Sequence, residues 1–283
     1  MVLAMQALKA NLLALSTFVG ALLLSVSQAH AQTQALQLNF KAKVNGQPFE
    51  CGQSYGSVGS TKAQVTPSDF RLFLSQVELM NTSGQWQVMT LDEDQRWQIN
   101  NIALLDFENA SGPCRSGTTG MNASVRGSLP AGRYSAVRFT LGLPFEMNHG
   151  DPTVAYAPLS TTAMFWNWQG GYKFLKFDLS NPGFSFHLGS TACASSSRTQ
   201  APSACANPNL VRVSFAIFDP SKQTIVADIG KLLAETDVTK NTPETSPGCM
   251  SFAKDPDCVP IMKALGITYD EVAGGEQKLF HLE

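Results

Sequence analysis

Residues 36–44 alternate strictly. Leu36, Leu38, Phe40, Ala42 and Val44 point one way, and Gln37, Asn39, Lys41 and Lys43 the other. A period of two predicts a strand with one buried face. Val44-Asn45-Gly46-Gln47 then reads as a tight turn, because Asn-Gly accepts positive φ. Residues 70–80 are apolar on both faces, which suits a central strand, and residues 86–91 pair with them across Thr82-Ser83-Gly84. Residues 102–107 form a short buried run, and residues 133–141 alternate through Val137, Phe139 and Leu141 after Pro130-Ala131-Gly132. Residues 172–179 and 210–218 complete the strands; in the last, Val211, Val213, Phe215 and Ile217 alternate with Arg212, Ser214 and Ala216.

Helical signals are few and short. They cover residues 159–168 with Ser160 as a cap, 228–236 with Ile229, Leu232 and Leu233 on one face, and 259–265. Many strands separated by Gly, Pro and Ser predict an all-β fold, an antiparallel β-sandwich or barrel-like sandwich with a few short helices. Residues 235–257 are rich in Thr, Pro and Ser and read as a loop, and the C-terminal stretch reads as an appendage on the same domain. No internal repeat is evident.

The N-terminus changes the picture. Residues 1–31 have the three parts of a cleavable signal peptide: Lys9, an apolar run over 12–26, and the small-x-small site Ala29-His30-Ala31. That run is short for a bilayer span and contains Ser16, Thr17 and Ser25; no later stretch is long enough. The expectation is a periplasmic or secreted protein with no stable membrane insertion after cleavage. The expected division is a signal peptide at 1–31, a β domain at 32–235 and a C-terminal extension at 236–283. The formal net charge of −2 has no basic excess or Lys/Arg run behind it, which argues against a nucleic-acid partner.

All six cysteines, Cys51, Cys114, Cys193, Cys205, Cys249 and Cys258, lie beyond the leader. An even number in an exported chain predicts disulfides. Local spacing suggests Cys193–Cys205 and Cys249–Cys258, which leaves Cys51–Cys114. A thiolate metal site is the weaker reading, since no C-x-x-C is present.

Removing His30 with the leader leaves His149, His187 and His281. His149 and His187 flank the most aromatic part of the chain, Met164-Phe165-Trp166-Asn167-Trp168-Gln169-Gly170-Gly171-Tyr172-Lys173-Phe174. If they met in space and gained one more donor they would suit copper, for which imidazole is a good ligand. No H-x-H or H-x-x-x-H spacing supports this, so two ordinary core or surface histidines are the bland alternative. Trp166 and Trp168 read as core residues, as a platform on which a carbohydrate stacks, or as oxidisable side chains. H-E-x-x-H is absent, and Asp92-Glu93-Asp94 reads as a solvated turn.

Several ordered segments resemble MbnP-like proteins, the four-Cys members of the metallo-mystery pair. They are Val44-Asn45-Gly46-Gln47-Pro48-Phe49-Glu50-Cys51-Gly52, Asp69-Phe70-Arg71-Leu72-Phe73-Leu74-Ser75 and Ala103-Leu104-Leu105-Asp106-Phe107-Glu108. Phe139-Thr140-Leu141-Gly142-Leu143-Pro144-Phe145 with Asn148-His149, the 164–174 stretch, and His187-Leu188-Gly189-Ser190-Thr191 with Cys193 continue the likeness, which runs from about residue 36 to 228. The resemblance implies an exported, non-enzymatic copper-binding protein with a role in copper acquisition or homeostasis. It implies a di-haem c-type partner, MbnH, similar to MauG-type peroxidases, that oxidises a Trp to kynurenine on which copper binding depends. Carried onto this chain, the family cysteines are Cys51, Cys114, Cys193 and Cys205, with Cys249 and Cys258 an extra pair. The histidines are His149 and His187, and Trp166 or Trp168 is the modified residue. His281 lies outside the resemblance. The rival expectation is an exported β-sandwich that stacks a carbohydrate on Trp166 and Trp168.

Overall fold

The structure, a computed structural model, describes residues 32–283; the signal peptide read at 1–31 lies outside the described residues. The alternating run becomes the strand Thr33–Val44, with Leu38, Phe40 and Val44 buried. Asn45 and Gly46 both take positive φ and turn the chain into Gln47–Pro48. Asp228 braces this turn by accepting from the Asn45 and Gly46 N–H groups at 2.9 and 2.7 Å.

Two sheets stack as a sandwich. The smaller runs Phe280–Leu282, Ile225–Asp228, Thr33–Val44, Ser124–Pro130 and Thr90–Leu91. Its pairings are antiparallel except that Thr33–Val44 lies parallel to Ile225–Asp228. The larger runs Ser185–Leu188, Leu175–Asn181, Ala63–Asn81, Tyr134–Leu141 and Val211–Phe215. Its spine, Ala63–Asn81, also pairs with Tyr55–Val58, Trp86–Val88 and Ile102–Asp106. The two-faced apolar pattern at 70–80 is explained by this central place. Phe40 of the smaller sheet meets Phe139 of the larger edge-to-face at 5.9 Å, and Phe139 meets Phe280 at 5.2 Å.

The all-β expectation holds, and so do the three cysteine pairs, Cys51–Cys114, Cys193–Cys205 and Cys249–Cys258. Several local expectations need correction. Residues 86–91 do not stay in one sheet: Trp86–Val88 pairs with the spine, while Thr90–Leu91 crosses to Ser124–Pro130. That last strand is hidden in the sequence by Gly127, where a Cβ would come within 2.3 Å of the Thr90 carbonyl oxygen. Ile217 does not face inward; the strand ends at Phe215, Ile217 is 83% exposed, and Phe218 turns into the core instead.

The helix read at 159–168 is a 3-10 turn, Thr162–Met164, with no side-chain cap from Ser160, followed by the strand Phe165–Asn167. Its backbone pairs with Gly171–Tyr172 across a tight turn. Gly171 makes this possible with φ of 71°, in a spot where a Cβ would come within 2.3 Å of the Asn148 carbonyl oxygen. The other two helices form as Ile229–Leu232, capped by Asp228, and Val259–Ala264. The C-terminal stretch is more than an appendage. It buries Ile261, Met262, Leu265 and Phe280 and supplies an edge strand of the smaller sheet. No helix among the described residues is long and apolar enough to cross a membrane.

Candidate metal centre

The larger sheet has two unlike faces. Phe70, Leu72 and Leu74 alternate with Asp69, Arg71, Phe73 and Ser75 along the spine. The first set shares its face with Phe139 and packs toward the smaller sheet. Register places a row of polar side chains on the second face. Arg71 pairs with Asp106 on one side and Lys176 on the other, and Lys176 pairs with His187. In the next rung Asp69 pairs with Asp178. Directly paired residues share a face, so one row reads Asp106, Arg71, Lys176, His187 across four strands. All four are buried.

Buried charges need partners. Arg71 Nε donates to Asp69 Oδ1 at 2.8 Å, Lys176 pairs with Asp69, and Ser116 Oγ donates to Asp69 Oδ2 at 2.9 Å. Lys176 Nζ also lies 2.7 Å from Asp178 Oδ2. Burial opposes ionisation of Asp178, but its hydrogen bond to His187 and the Lys176 charge outweigh it, holding the carboxyl below the usual carboxylate range. At the far end of the row burial, and then the Glu108 charge, push Asp106 up to about 8.

His187 closes the row. Its Nε2 lies 2.8 Å from Asp178 Oδ1. Burial pushes its pKa below the ordinary histidine value against the pull of Asp178, so the ring is neutral near pH 7 and the contact is a hydrogen bond. Its Nδ1 is buried and has no hydrogen-bond partner. The main chain of His187 is pinned by the C-terminal stretch: its N–H donates to Cys249 O at 2.9 Å and its carbonyl accepts from Ser251 Oγ at 2.8 Å. His281 also has an unpartnered Nδ1, but its Nε2 sits 3.3 Å from Lys231 Nζ, a cation that repels a metal ion.

The Phe165–Asn167 turn touches both histidines. The Trp166 ring lies 6.4 Å from the His187 ring and stacks at 6.0 Å on Phe252. Gly189 makes room for it, since a Cβ there would come within 2.4 Å of the indole. Trp168 comes next in the turn, and its carbonyl oxygen lies 3.1 Å from His149 Nδ1. His149 Nε2 faces Asn148 Nδ2 at 3.1 Å and the Cys205 sulfur at 3.5 Å. Burial lowers the His149 pKa, against the Trp168 hydrogen bond. Asn148 in turn accepts from Tyr172 N at 2.8 Å and contacts Ser190 Oγ at 3.3 Å.

The two histidines are linked through this turn, His187 by the Trp166 ring and His149 by the Trp168 carbonyl. Among the described residues, the groups of three or more His, Cys, Asp or Glu donors with mutual distances under 4.8 Å are His149 with Cys193 and Cys205, and Cys51 with Glu108 and Cys114. Both contain a disulfide, whose sulfurs lack the thiolate charge that holds a metal. Imidazole is therefore the donor type on offer.

Trp166 and Trp168 are both half-buried and make no ring contact with each other. A cleft of about 410 Å³ beside Trp166 is lined by Gln169, Ala192, Arg198 and Phe252. A hydrolase-like G-x-S-x-G spacing occurs at Gly52-Gln53-Ser54-Tyr55-Gly56. Ser54 precedes a strand, not a helix, and its hydroxyl accepts from Gln64 Nε2 at 2.9 Å, so the context of a nucleophile is missing. Asp92-Glu93-Asp94 is a turn as expected, with Asp94 accepting from the N–H groups of Arg96, Trp97 and Gln98. Lys176 and Asp178 were not legible as site residues. They alternate with Phe177 and look like the wet side of a strand.

These features define a disulfide-stapled β-sandwich with a buried polar face that ends in a neutral imidazole. The family model of MbnP matches residues 33–251, and the chain belongs to this copper-associated family. The match extends past residue 235 and takes in Cys249. The chain is similar to the solved structure of MbnP from Methylosinus trichosporium, with 26% identity, a TM-score of 0.76, and coverage of 89% of this chain and 98% of that chain. No curated protein matches it.

Proposed function

We propose that this chain is an exported copper-binding protein, not an enzyme, that serves copper acquisition or homeostasis. His149 and His187 are its imidazole ligands. Its maturation partner is a di-haem c-type peroxidase of the MbnH/MauG kind, which oxidises one tryptophan to kynurenine. The observation that carries this reading is the buried, unpartnered Nδ1 of His187 beside Trp166. A buried polar atom without a partner is costly, and native proteins rarely keep one without a reason. Burial favours the neutral, ligating form of both rings. Copper when bound supplies a soft Lewis acid that accepts such nitrogen donors.

Trp166 is the preferred modification site, because its ring neighbours His187 while Trp168 meets His149 through its main chain. Opening the indole creates an aniline nitrogen and a ketone, donors that Trp lacks. Three disulfides fit the oxidising compartment that the leader-like residues 1–31 imply.

The test is to produce the mature chain with and without its di-haem partner. Peptide mass analysis is expected to place a Trp-to-kynurenine mass gain at Trp166 only in the co-produced protein, and copper titration is expected to show binding in that form. Unchanged copper binding in both His149→Ala and His187→Ala would refute the ligand assignment.

A further inference from the structure

We propose that Asp178 is a positioning residue that locks His187 in its Nε2–H tautomer, so that Nδ1 is the atom offered to the metal. The inference deepens the reading of His187 as a ligand and rests on it for its copper arm only.

The geometry comes from register. Asp178 lies two residues from Lys176 on the same strand, and Lys176 is the direct cross-strand partner of His187. Residues two apart share a face, and diagonal neighbours across a sheet are within reach of long side chains. Asp178 therefore reaches His187 Nε2 at 2.8 Å without leaving its strand. An ionised carboxylate only accepts hydrogen bonds, so Nε2 must carry the proton. A neutral imidazole has one N–H, which leaves Nδ1 as a bare lone pair. That atom is buried and has no protein partner.

Asp178 is itself held. Its second oxygen takes the Lys176 ammonium at 2.7 Å, and Lys176 is anchored by Asp69 and by Ser116 Oγ at 3.3 Å. The carboxylate is thus fixed in position and in charge by a cation on its own strand. His149 is set the opposite way. The Trp168 carbonyl can only accept, so His149 carries its proton on Nδ1 and presents Nε2. The two rings of the site are poised in opposite tautomers by two unrelated devices. Outer partners of ligating histidines act in this manner, and their loss weakens metal binding by about 10–100-fold.

Asp178→Asn is the decisive variant. Lys176 attracts the amide oxygen, which turns the amide NH₂ toward His187 Nε2. The ring must then accept at Nε2 and protonate Nδ1. Nitrogen-15 NMR of the metal-free protein reads the tautomer directly. The wild type is expected to show His187 protonated at Nε2, Asp178→Asn at Nδ1, and Asp178→Glu at Nε2 again. Copper(I) competition titration is expected to show binding about 10–100-fold weaker in Asp178→Asn, with recovery in Asp178→Glu. A wild-type His187 protonated at Nδ1 overturns the proposal even if the variants fail to fold. So does an Asp178→Asn protein that keeps the Nε2–H form. Unchanged copper affinity in His187→Ala, with the tautomers as expected, refutes the ligand reading and leaves the tautomer lock standing.

Discussion

His149 and His187 are both buried, both neutral near pH 7 and both beside the same tryptophan turn, yet they are held differently. His149 has both nitrogens engaged, Nδ1 by the Trp168 carbonyl and Nε2 by the Asn148 amide. His187 has one nitrogen engaged and one bare. A metal ion reaching His149 must first displace an amide that already has a second contact at Ser190 Oγ. A metal ion reaching His187 Nδ1 breaks no hydrogen bond. If both are ligands as proposed, the difference separates one whose nitrogen is free of hydrogen bonds from one that must first release a partner, although the sequence presents them as equals.

The largest effect should come from removing the proposed ligand His187. His187→Ala is expected to weaken copper(I) binding by more than about 100-fold, beyond the range for outer partners, as read by competition with a chromophoric chelator. His149→Ala should cost less, about 10–100-fold, because part of its binding free energy is offset by breaking the Asn148 contact. Equal losses in the two variants would erase the distinction between the two rings.

A third measurement tests the burial of His187 through pH. The folded-state pKa of His187 is below its unfolded value near 6.5. The unfolded chain therefore takes up a proton first as pH falls, and the contribution of His187 is present above that value and lost below it. The slope for one such group is at most about 1.4 kcal/mol per pH unit. Denaturant unfolding of metal-free protein from pH 7.5 to 5.5 should show a shallower loss in His187→Gln than in the wild type.

The smallest effect on the site should come from the far end of the same row. Asp106→Asn is expected to leave copper affinity unchanged. Its signature is in stability: Asp106 is raised to about 8, so the folded state holds its proton longer and the wild type loses stability as pH climbs toward 8. Asp106→Asn should equal the wild type below about pH 4, where both states hold the proton, and exceed it by a margin that grows up to about pH 8. A copper effect in this variant would mean that the row transmits charge to His187 across four strands.

How far the sequence foretold this can be seen residue by residue. The strand at 36–44, the Asn45-Gly46 turn and the pairs Cys193–Cys205 and Cys249–Cys258 are readable, because each depends on local periodicity or short spacing, and Cys51–Cys114 follows by elimination. His149, His187 and the undivided pair Trp166 and Trp168 are candidates through family likeness and aromatic clustering. The row Asp106, Arg71, Lys176, His187 was not readable, because it exists only once four strands far apart in the chain take their register. A charged residue alternating with apolar ones normally marks the solvent face. Here loops and the C-terminal stretch cover that face, and the rule inverts. The strand at 124–130 carries no clear periodic signal for a related reason, since Gly127 is set by a neighbouring carbonyl and not by any periodic preference.

The covering C-terminal stretch also limits how the protein can be shortened. A chain cut at residue 235 would keep both candidate ligands, Trp166 and four of the six cysteines, and would look like a minimal copper module on paper. It would leave Ile225–Asp228 as a bare strand edge, strip Phe280 from Phe139, and unpin His187 from Cys249. Unpaired edges invite pairing with other chains, so such a fragment should precipitate before it could be titrated. For laboratory engineering, residues 236–283 should therefore be kept as part of the scaffold that holds His187.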